Sequence, residues 1–309
     1  MTRVLVTGGL GFIGSRLVPR LLDEGFAVRC VDDLSAPSAP GTGRAAAAGL
    51  AAHGVEVLLD RARPVHVAGM DAVIHLAALP GVRTARVPSL LQAVNVDLAG
   101  RLARAAARNG ARFVFTSSSS VYGNAAVLPT PEDEPPAPLN AYAESKVAAE
   151  AAVLAAGGDP VILRPFTVYG PGQRPDMAFA RWIRALAGGR ALPWHAPPGS
   201  ARDFTYVEDV VAGVLAALRR ARTGRVYNLS GWRPVPLAEA LALLAGEREP
   251  LLRELPSSTA EAYVTHGCGE RAAAELGYAP GVELAEGLQR QLEAASPGPL
   301  PAWRAPAPA

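Results

Sequence analysis

The chain of 309 residues is half hydrophobic, and 30 basic against 28 acidic side chains leave a formal charge of only +2. That balance gives no electrostatic footprint for nucleic acid, and the length suffices for a large core, most simply a cofactor domain with a smaller partner lobe. Two cysteines far apart, Cys30 and Cys268, suggest neither a disulfide framework nor a zinc site, so no metal is expected. No apolar run approaches the ~20 residues that span a bilayer. A strand starting at residue 3 leaves no room for a signal peptide, so a soluble protein of the reducing cytoplasm is expected, with no membrane partner.

The apolar run Arg3 to Val6 reads as a strand and passes into Thr7-Gly8-Gly9-Leu10-Gly11-Phe12-Ile13-Gly14, followed by a helical pattern through Leu22. Glycine at positions 8 and 11 lets the backbone turn tightly and approach a pyrophosphate without a Cβ, while Gly14 permits close helix-to-strand contact. The helix N-terminus then offers free N–H groups and a positive dipole end to the anion. A second strand, Ala27 to Val31, ends in Asp32-Asp33 about 20 residues on. A carboxylate there accepts hydrogen bonds from ribose hydroxyls and repels a 2′-phosphate, which points to NAD rather than NADP.

The stretch Ala36 to Ala52 reads as a loop with at most a short helix, near the adenosine end. Strand-like runs recur at Val55 to Leu59, Ala72 to Ala77, Arg112 to Thr116, Pro160 to Leu163 and Arg225 to Leu229, with helical patterns between most of them. This alternation predicts an α/β chain: a doubly wound parallel Rossmann sheet with a smaller α+β substrate lobe. Residues 1–168 are expected to form the NAD domain, with 203–230 returning to it. Residues 169–202 and 231–295 are expected to form the lobe, with helices at Met177 to Ala187, Pro236 to Leu244 and Val282 to Ala294. The segments Leu90 to Arg108 and Ala141 to Ala156 are more apolar than one buried stripe requires, which suggests a helix-to-helix homodimer contact. Residues 296–309 contain five prolines and no periodicity and read as a disordered tail.

The second chemical feature is Tyr142-Ala143-Glu144-Ser145-Lys146 at the start of a helix. A four-residue spacing puts Tyr142 and Lys146 on one helix face. An ammonium beside a phenol lowers the tyrosine pKa from ~10 toward the working range and creates a general base. The polar run Thr116-Ser117-Ser118-Ser119-Ser120 ends a strand, where open α/β sheets bind ligands, and offers a hydroxyl to share that proton.

These motifs resemble the extended short-chain dehydrogenase/reductase superfamily and, within it, the nucleotide-sugar epimerases and dehydratases. The likeness also rests on His75-Leu76-Ala77-Ala78, Val121-Tyr122-Gly123, Arg164-Pro165-Phe166-Thr167-Val168-Tyr169-Gly170-Pro171 and Arg202-Asp203-Phe204-Thr205-Tyr206-Val207. The resemblance implies Ser118 as catalytic hydroxyl, Tyr142 as base, and Lys146 as the residue that binds the nicotinamide ribose and tunes Tyr142. It implies NAD contacts at Gly8, Gly11, Phe12, Ile13, Asp32, Asp33, Leu34, Asp60, Leu76, Ala77, Ala78, Asn95, Tyr142, Lys146 and Phe166. Substrate contacts are implied at Arg83, Thr116, Ser117, Ser118, Tyr142, Thr167, Arg174, Arg202 and Glu261, with Arg202 on the pyrophosphate.

Members that dehydrate or decarboxylate the sugar carry an acidic residue just after the catalytic hydroxyl, where this chain has Ser119 and Ser120. Without that carboxylate the simplest chemistry is oxidation at C4 and reduction from the opposite face, a 4-epimerisation. Gln173-Arg174-Pro175-Asp176-Met177-Ala178 with Thr167 resembles the branch acting on UDP-glucuronate, and Arg174 with the hydroxyls of Thr116, Ser117 and Thr167 could hold its carboxylate. UDP-glucose, UDP-N-acetylglucosamine or dTDP-sugar substrates, a dehydratase, and a non-catalytic NAD sensor are the alternatives. The chain departs from the family near its C-terminus, where Ser258 stands for a nucleotide-gripping arginine, Glu261 for an aspartate and Cys268 for a later one. His75, His195 and His266 are assigned no catalysis.

Overall fold

The computed structural model describes residues 1–35, 42–81, 87–257 and 259–295. Strands β1 (Arg3–Thr7), β2 (Ala27–Val31), β3 (Glu56–Leu58), β4 (Ala72–His75), β5 (Arg112–Thr116) and β6 (Asp159–Pro165) lie in one parallel sheet. Beyond β7 (Thr167–Tyr169), β8 (Leu192–Trp194) and β9 (Ala201–Tyr206), strand β10 (Val226–Leu229) returns to the edge of that sheet. The order β10-β6-β5-β4-β1-β2-β3 reverses between β1 and β4, which opens a crevice at their C-terminal ends.

Period-two alternation sorts the strands' apolar residues onto two faces. Val4, Val6, Ile74, Val114, Val161 and Leu163 meet helices α1 (Gly14–Asp23) and α7 (Val207–Arg220). Leu5, Val73, Phe113, Phe115 and Ile162 meet α4 (Leu98–Arg108) and α5 (Ala141–Leu154) on the other. Burial on both faces is why these strands read as unbroken apolar runs. A third core lies off the sheet, where Tyr169, Phe179, Phe204 and Tyr206 stack edge to face beneath α6 (Ala178–Ala187) and α8 (Leu237–Ala245). It accompanies a small sheet of β7, β9 and β11 (Pro234–Pro236), and β12 (Leu252–Glu254) pairs β8.

Three local expectations change. The stretch expected as a loop contains an eleven-residue helix, α2 (Thr42–Ala52), because its alanines outweigh two glycines in helix propensity; residues 36–41 lie outside the described residues. The run from Leu90 to Arg108 is helical, but it is built as α3 (Pro88–Leu91), a wider π turn at Gln92–Asp97, and α4. Part of its spare apolar face is used inside the chain, since a Cβ on Gly100 would stand 3.2 Å from the Cβ of Ala152 on α5. Two helices had no separate forecast, α7 and α9 (Glu270–Leu276), while α10 (Leu284–Ala295) closes the described chain; the expected tail lies outside the described residues.

Candidate active site

A cleft of about 1390 Å³ opens at the C-terminal ends of the sheet strands. Its wall begins with the glycine turn. Gly8 has φ +72°, and a Cβ there would stand 2.8 Å from the Ala77 nitrogen; one on Gly14 would strike the Gly8 carbonyl and Gly9. This cradle has room for a phosphate backbone and none for side chains. The first turn of α1 has no side-chain cap and no acidic residue, so its positive dipole end is left unneutralised for an anion, although the Ser15 and Arg16 N–H groups donate to the Gly11 and Ile13 carbonyls. Asp32 holds the turn: its carboxylate accepts the N–H groups of Leu10 at 2.9 Å and Leu34 at 2.8 Å. Burial raises its pKa, with those two hydrogen bonds working against the rise.

Phe12, Ile13, Asp33, Asp60, Leu76, Ala77, Ala78 and Phe166 line the same cleft, as do Gly8, Gly11 and Asp32. Two residues expected to touch the cofactor are placed off its wall. Leu34, at φ +57°, lies close against Gly43 with its side chain packed on the core. Asn95 is buried, its amide bonded to both backbone groups of Leu79 and to the Ser145 hydroxyl at 2.9 Å. It therefore braces α5 from behind. Arg83 and Ser258 lie outside the described residues.

Thr116, Ser117, Ser118, Tyr142, Lys146, Thr167, Arg174, Arg202 and Glu261 also line the cleft. Asn140 caps α5 by accepting the Ala143 N–H at 2.9 Å, which fixes the helix start two residues before Tyr142. Ser118 accepts the Ser120 N–H at 3.2 Å, capping the turn Ser119–Tyr122, and its hydroxyl lies near enough to the Tyr142 phenol to favour the ionised form. The Lys146 Nζ donates to the Thr116 carbonyl at 2.9 Å and stands 4.8 Å from the centre of the Phe115 ring. Burial pulls its pKa down to about 8, with Glu150 opposing.

The expectation that Lys146 lowers the Tyr142 pKa is corrected. Burial raises it, because a phenolate loses its hydration there; the opposing influences are the neighbouring Ser118 hydroxyl and the charge of Arg174. The ammonium of Lys146 sits 6.0 Å from the centre of the Tyr142 ring.

Arg174 is held by Asp176 through Nε at 3.1 Å and Nη2 at 3.0 Å, a geometry that leaves Nη1 to face other groups. Arg202 reaches the Tyr263 carbonyl at 3.1 Å and Glu261 at 3.4 Å, so these two expected substrate residues are joined. The Ser117 hydroxyl is committed to Glu150 at 2.5 Å, whereas Thr116 Oγ1 and Ser120 Oγ are buried without a partner. His75 is neutral, its pKa pulled to about 3 by burial, with Nδ1 2.6 Å from the Thr7 hydroxyl. Sequence reasoning missed Arg181, Trp194 and Leu237 on the wall, none of which belongs to a motif. It also missed Glu150, whose repeat of the four-residue spacing from Lys146 was the available signal.

A family model described as the NAD dependent epimerase/dehydratase family matches residues 4–230. The chain is 33% identical to a dTDP-glucose 4,6-dehydratase of Streptomyces griseus, over 93% of this chain and 92% of that one. It is 34% identical to UDP-glucuronate 4-epimerase 5 of Arabidopsis thaliana, over 93% and 74%. Its fold superposes with a TM-score of 0.88 on the UDP-glucuronic acid 4-epimerase of Bacillus cereus, solved with UDP-glucuronic acid and NAD, at 30% identity over 95% and 98%. With its glycine cradle, serine strand end and Tyr142–Lys146 helix in one cleft, the chain belongs to the NAD-dependent epimerase/dehydratase family of nucleotide-sugar enzymes.

Proposed function

We propose that the protein is a 4-epimerase converting UDP-glucuronate to UDP-galacturonate through a transient 4-keto sugar. NAD, the family's cofactor, would supply the acceptor and donor for the C4 hydride. Gly8, Gly11 and the open N-terminus of α1 would hold its pyrophosphate, Asp32 and Asp33 the adenosine ribose, and Lys146 the nicotinamide ribose. Tyr142 removes the 4-hydroxyl proton, and the neighbouring Ser118 hydroxyl, which favours the phenolate, shares it. The keto sugar turns over and recovers its hydrogen on the opposite face, so the cofactor's redox change is zero.

The observation that carries this reading is the surroundings of the Tyr142 phenol: the cation Arg174 acts on it, and no carboxylate follows Ser118. Carboxylates on the described wall are Asp32, Asp33 and Asp60 in the NAD half, Asp176 bound to Arg174, and Glu261 bound to Arg202. Elimination would need an acid and a base where Ser119 and Ser120 stand. A carboxylate beside a C4 ketone is prone to leave as carbon dioxide, and fixed hydrogen bonds would hold it out of alignment with the ketone. With Ser117 engaged by Glu150, that grip falls to Arg174, Thr167 and the unpartnered Thr116 hydroxyl. We place the enzyme in the cytoplasm as a homodimer, paired through the outer faces of α4 and α5.

Proton NMR of purified protein with UDP-glucuronate, UDP-glucose and UDP-N-acetylglucosamine in turn, without added NAD, tests this. Conversion of UDP-glucuronate to its galacto-epimer supports the reaction and a retained cofactor. Turnover of a neutral sugar alone would retire the carboxylate grip, and a stable keto or pentose product would replace epimerisation with dehydration or decarboxylation.

A further inference from the structure

Three residues of one α5 face, Tyr142, Lys146 and Glu150, engage three consecutive residues at the end of β5. Lys146 donates to the Thr116 carbonyl at 2.9 Å, Glu150 is 2.5 Å from the Ser117 hydroxyl, and the Tyr142 phenol lies within the influence of the Ser118 hydroxyl. Glu150 is in turn clamped by Arg164 of β6, through Nε at 3.0 Å and Nη2 at 2.6 Å. The remaining Arg164 amine donates to the Tyr122 hydroxyl at 2.8 Å and the Glu132 carbonyl at 3.0 Å. Both charged side chains are almost fully buried. Such a pair is a poor source of stability, since desolvating two ions offsets most of their attraction and apolar replacements are often neutral. Its place directly beneath the reacting groups points to another role.

We infer that Glu150, fixed by Arg164, is a positioning residue for C4 oxidation: it registers the Tyr142–Lys146 face of α5 against the serine end of β5. The inference rests on the reading that Tyr142 takes the C4 hydroxyl proton, and it holds equally for an epimerase or a dehydratase. Glu150 also has an electrostatic consequence. The groups facing the buried Lys146 are Glu150 and Tyr142 on its own helix, the Thr116 carbonyl and Phe115 on β5, and neutral His75 on β4. Arg164 on β6 reaches it only through Glu150. Glu150 is therefore the carboxylate that favours the ammonium, and removing it leaves Arg164 as an uncompensated cation nearby.

Lys146 is the only lysine of the chain, so lysine labelled with carbon-13 at the ε position gives one side-chain signal whose titration reads its charge. In the holoenzyme, Glu150→Gln should move that titration down by about one pH unit and cut kcat about tenfold with KM changed less than about twofold. The alkaline limb of the kcat profile should move down with it. Ser117→Ala, which removes only the link to the strand, should lower kcat while leaving the lysine titration in place. The double variant Glu150→Met with Arg164→Leu leaves no unpaired charge; it should melt near the wild type yet stay slow.

A folded Glu150→Gln or double variant with wild-type kcat and an unmoved lysine signal would overturn the inference. So would Ser117→Ala turning over at the wild-type rate. The ultraviolet band of reduced nicotinamide, followed after nucleotide sugar is added, separates this from failure of the functional reading. Wild type that never reduces its cofactor defeats the reading, whereas wild type that does so as fast as the variants defeats the positioning role.

Discussion

Asp203 should make the protein's stability fall as pH rises through the mildly acidic range. Its carboxylate is wholly buried between β9 and the turns that follow β10 and precede α9, accepting the N–H groups of Gly231 at 2.5 Å and Gly267 at 2.9 Å. Burial pushes its pKa from 3.8 up to about 6, with those two bonds restraining the rise. The folded state therefore holds a proton that the unfolded chain releases near 3.8. The stabilisation is complete below that value and is lost as pH climbs through about 6. At about 1.4 kcal/mol per unit, the span corresponds to roughly 3 kcal/mol.

Asp203→Asn removes the titration and leaves one of the two N–H groups facing an amide donor, at a cost of about 1–3 kcal/mol. Urea unfolding of the holoenzyme, followed by fluorescence of its four tryptophans, should show the variant clearly weaker than wild type near about pH 4. The gap should close or reverse by about pH 8. Parallel stability curves across that range would refute the buried ionisation. Because Asp203 adjoins Arg202, a weakened staple should also raise KM for the nucleotide sugar at neutral pH.

Three further outcomes follow from the cleft. Gly14→Ala forces a Cβ into the Gly8 carbonyl, so the purified variant should lose at least about tenfold in NAD affinity, read by bound-nucleotide content and titration calorimetry. Tyr142→Phe should retain NAD while kcat falls by about 10²–10⁴; a fall under about tenfold would assign the base elsewhere. Arg174→Ala should cut kcat/KM about a hundredfold on UDP-glucuronate and less than about threefold on UDP-glucose. Equal losses on both sugars would leave Arg174 a loop-stabilising cation.

What could be seen in advance was local. β2 and β5 have the same bounds in sequence and structure because an apolar run bounded by polar residues is buried on both faces, whatever its neighbours are. The glycine cradle was equally legible, since Gly11 and Gly14 answer to contacts within their own turn and Gly8 to the residues that follow β4. Asn95 and Leu34 were misplaced because whether a side chain faces a cleft depends on how a helix is rotated. A π turn and a left-handed residue set those orientations. The Tyr142 pKa was misjudged for a related reason: spacing shows that Lys146 shares its helix face, but burial depends on every element closing over the ring. Glu150 went unnoticed because Arg164, the partner that reveals it, lies on a different strand.

Of the 30 lysine and arginine side chains all but one are guanidinium groups, and the exception, Lys146, is sealed in the cleft at 3% exposure. The surface thus presents arginines to solvent and offers acylating or cross-linking reagents no primary amine beyond the chain's amino terminus. Amine-directed coupling to a support would engage the outer face only through the exposed amino terminus. Any acylation that does occur within the chain would mark the opening of the cleft itself, and a bound dinucleotide should slow it.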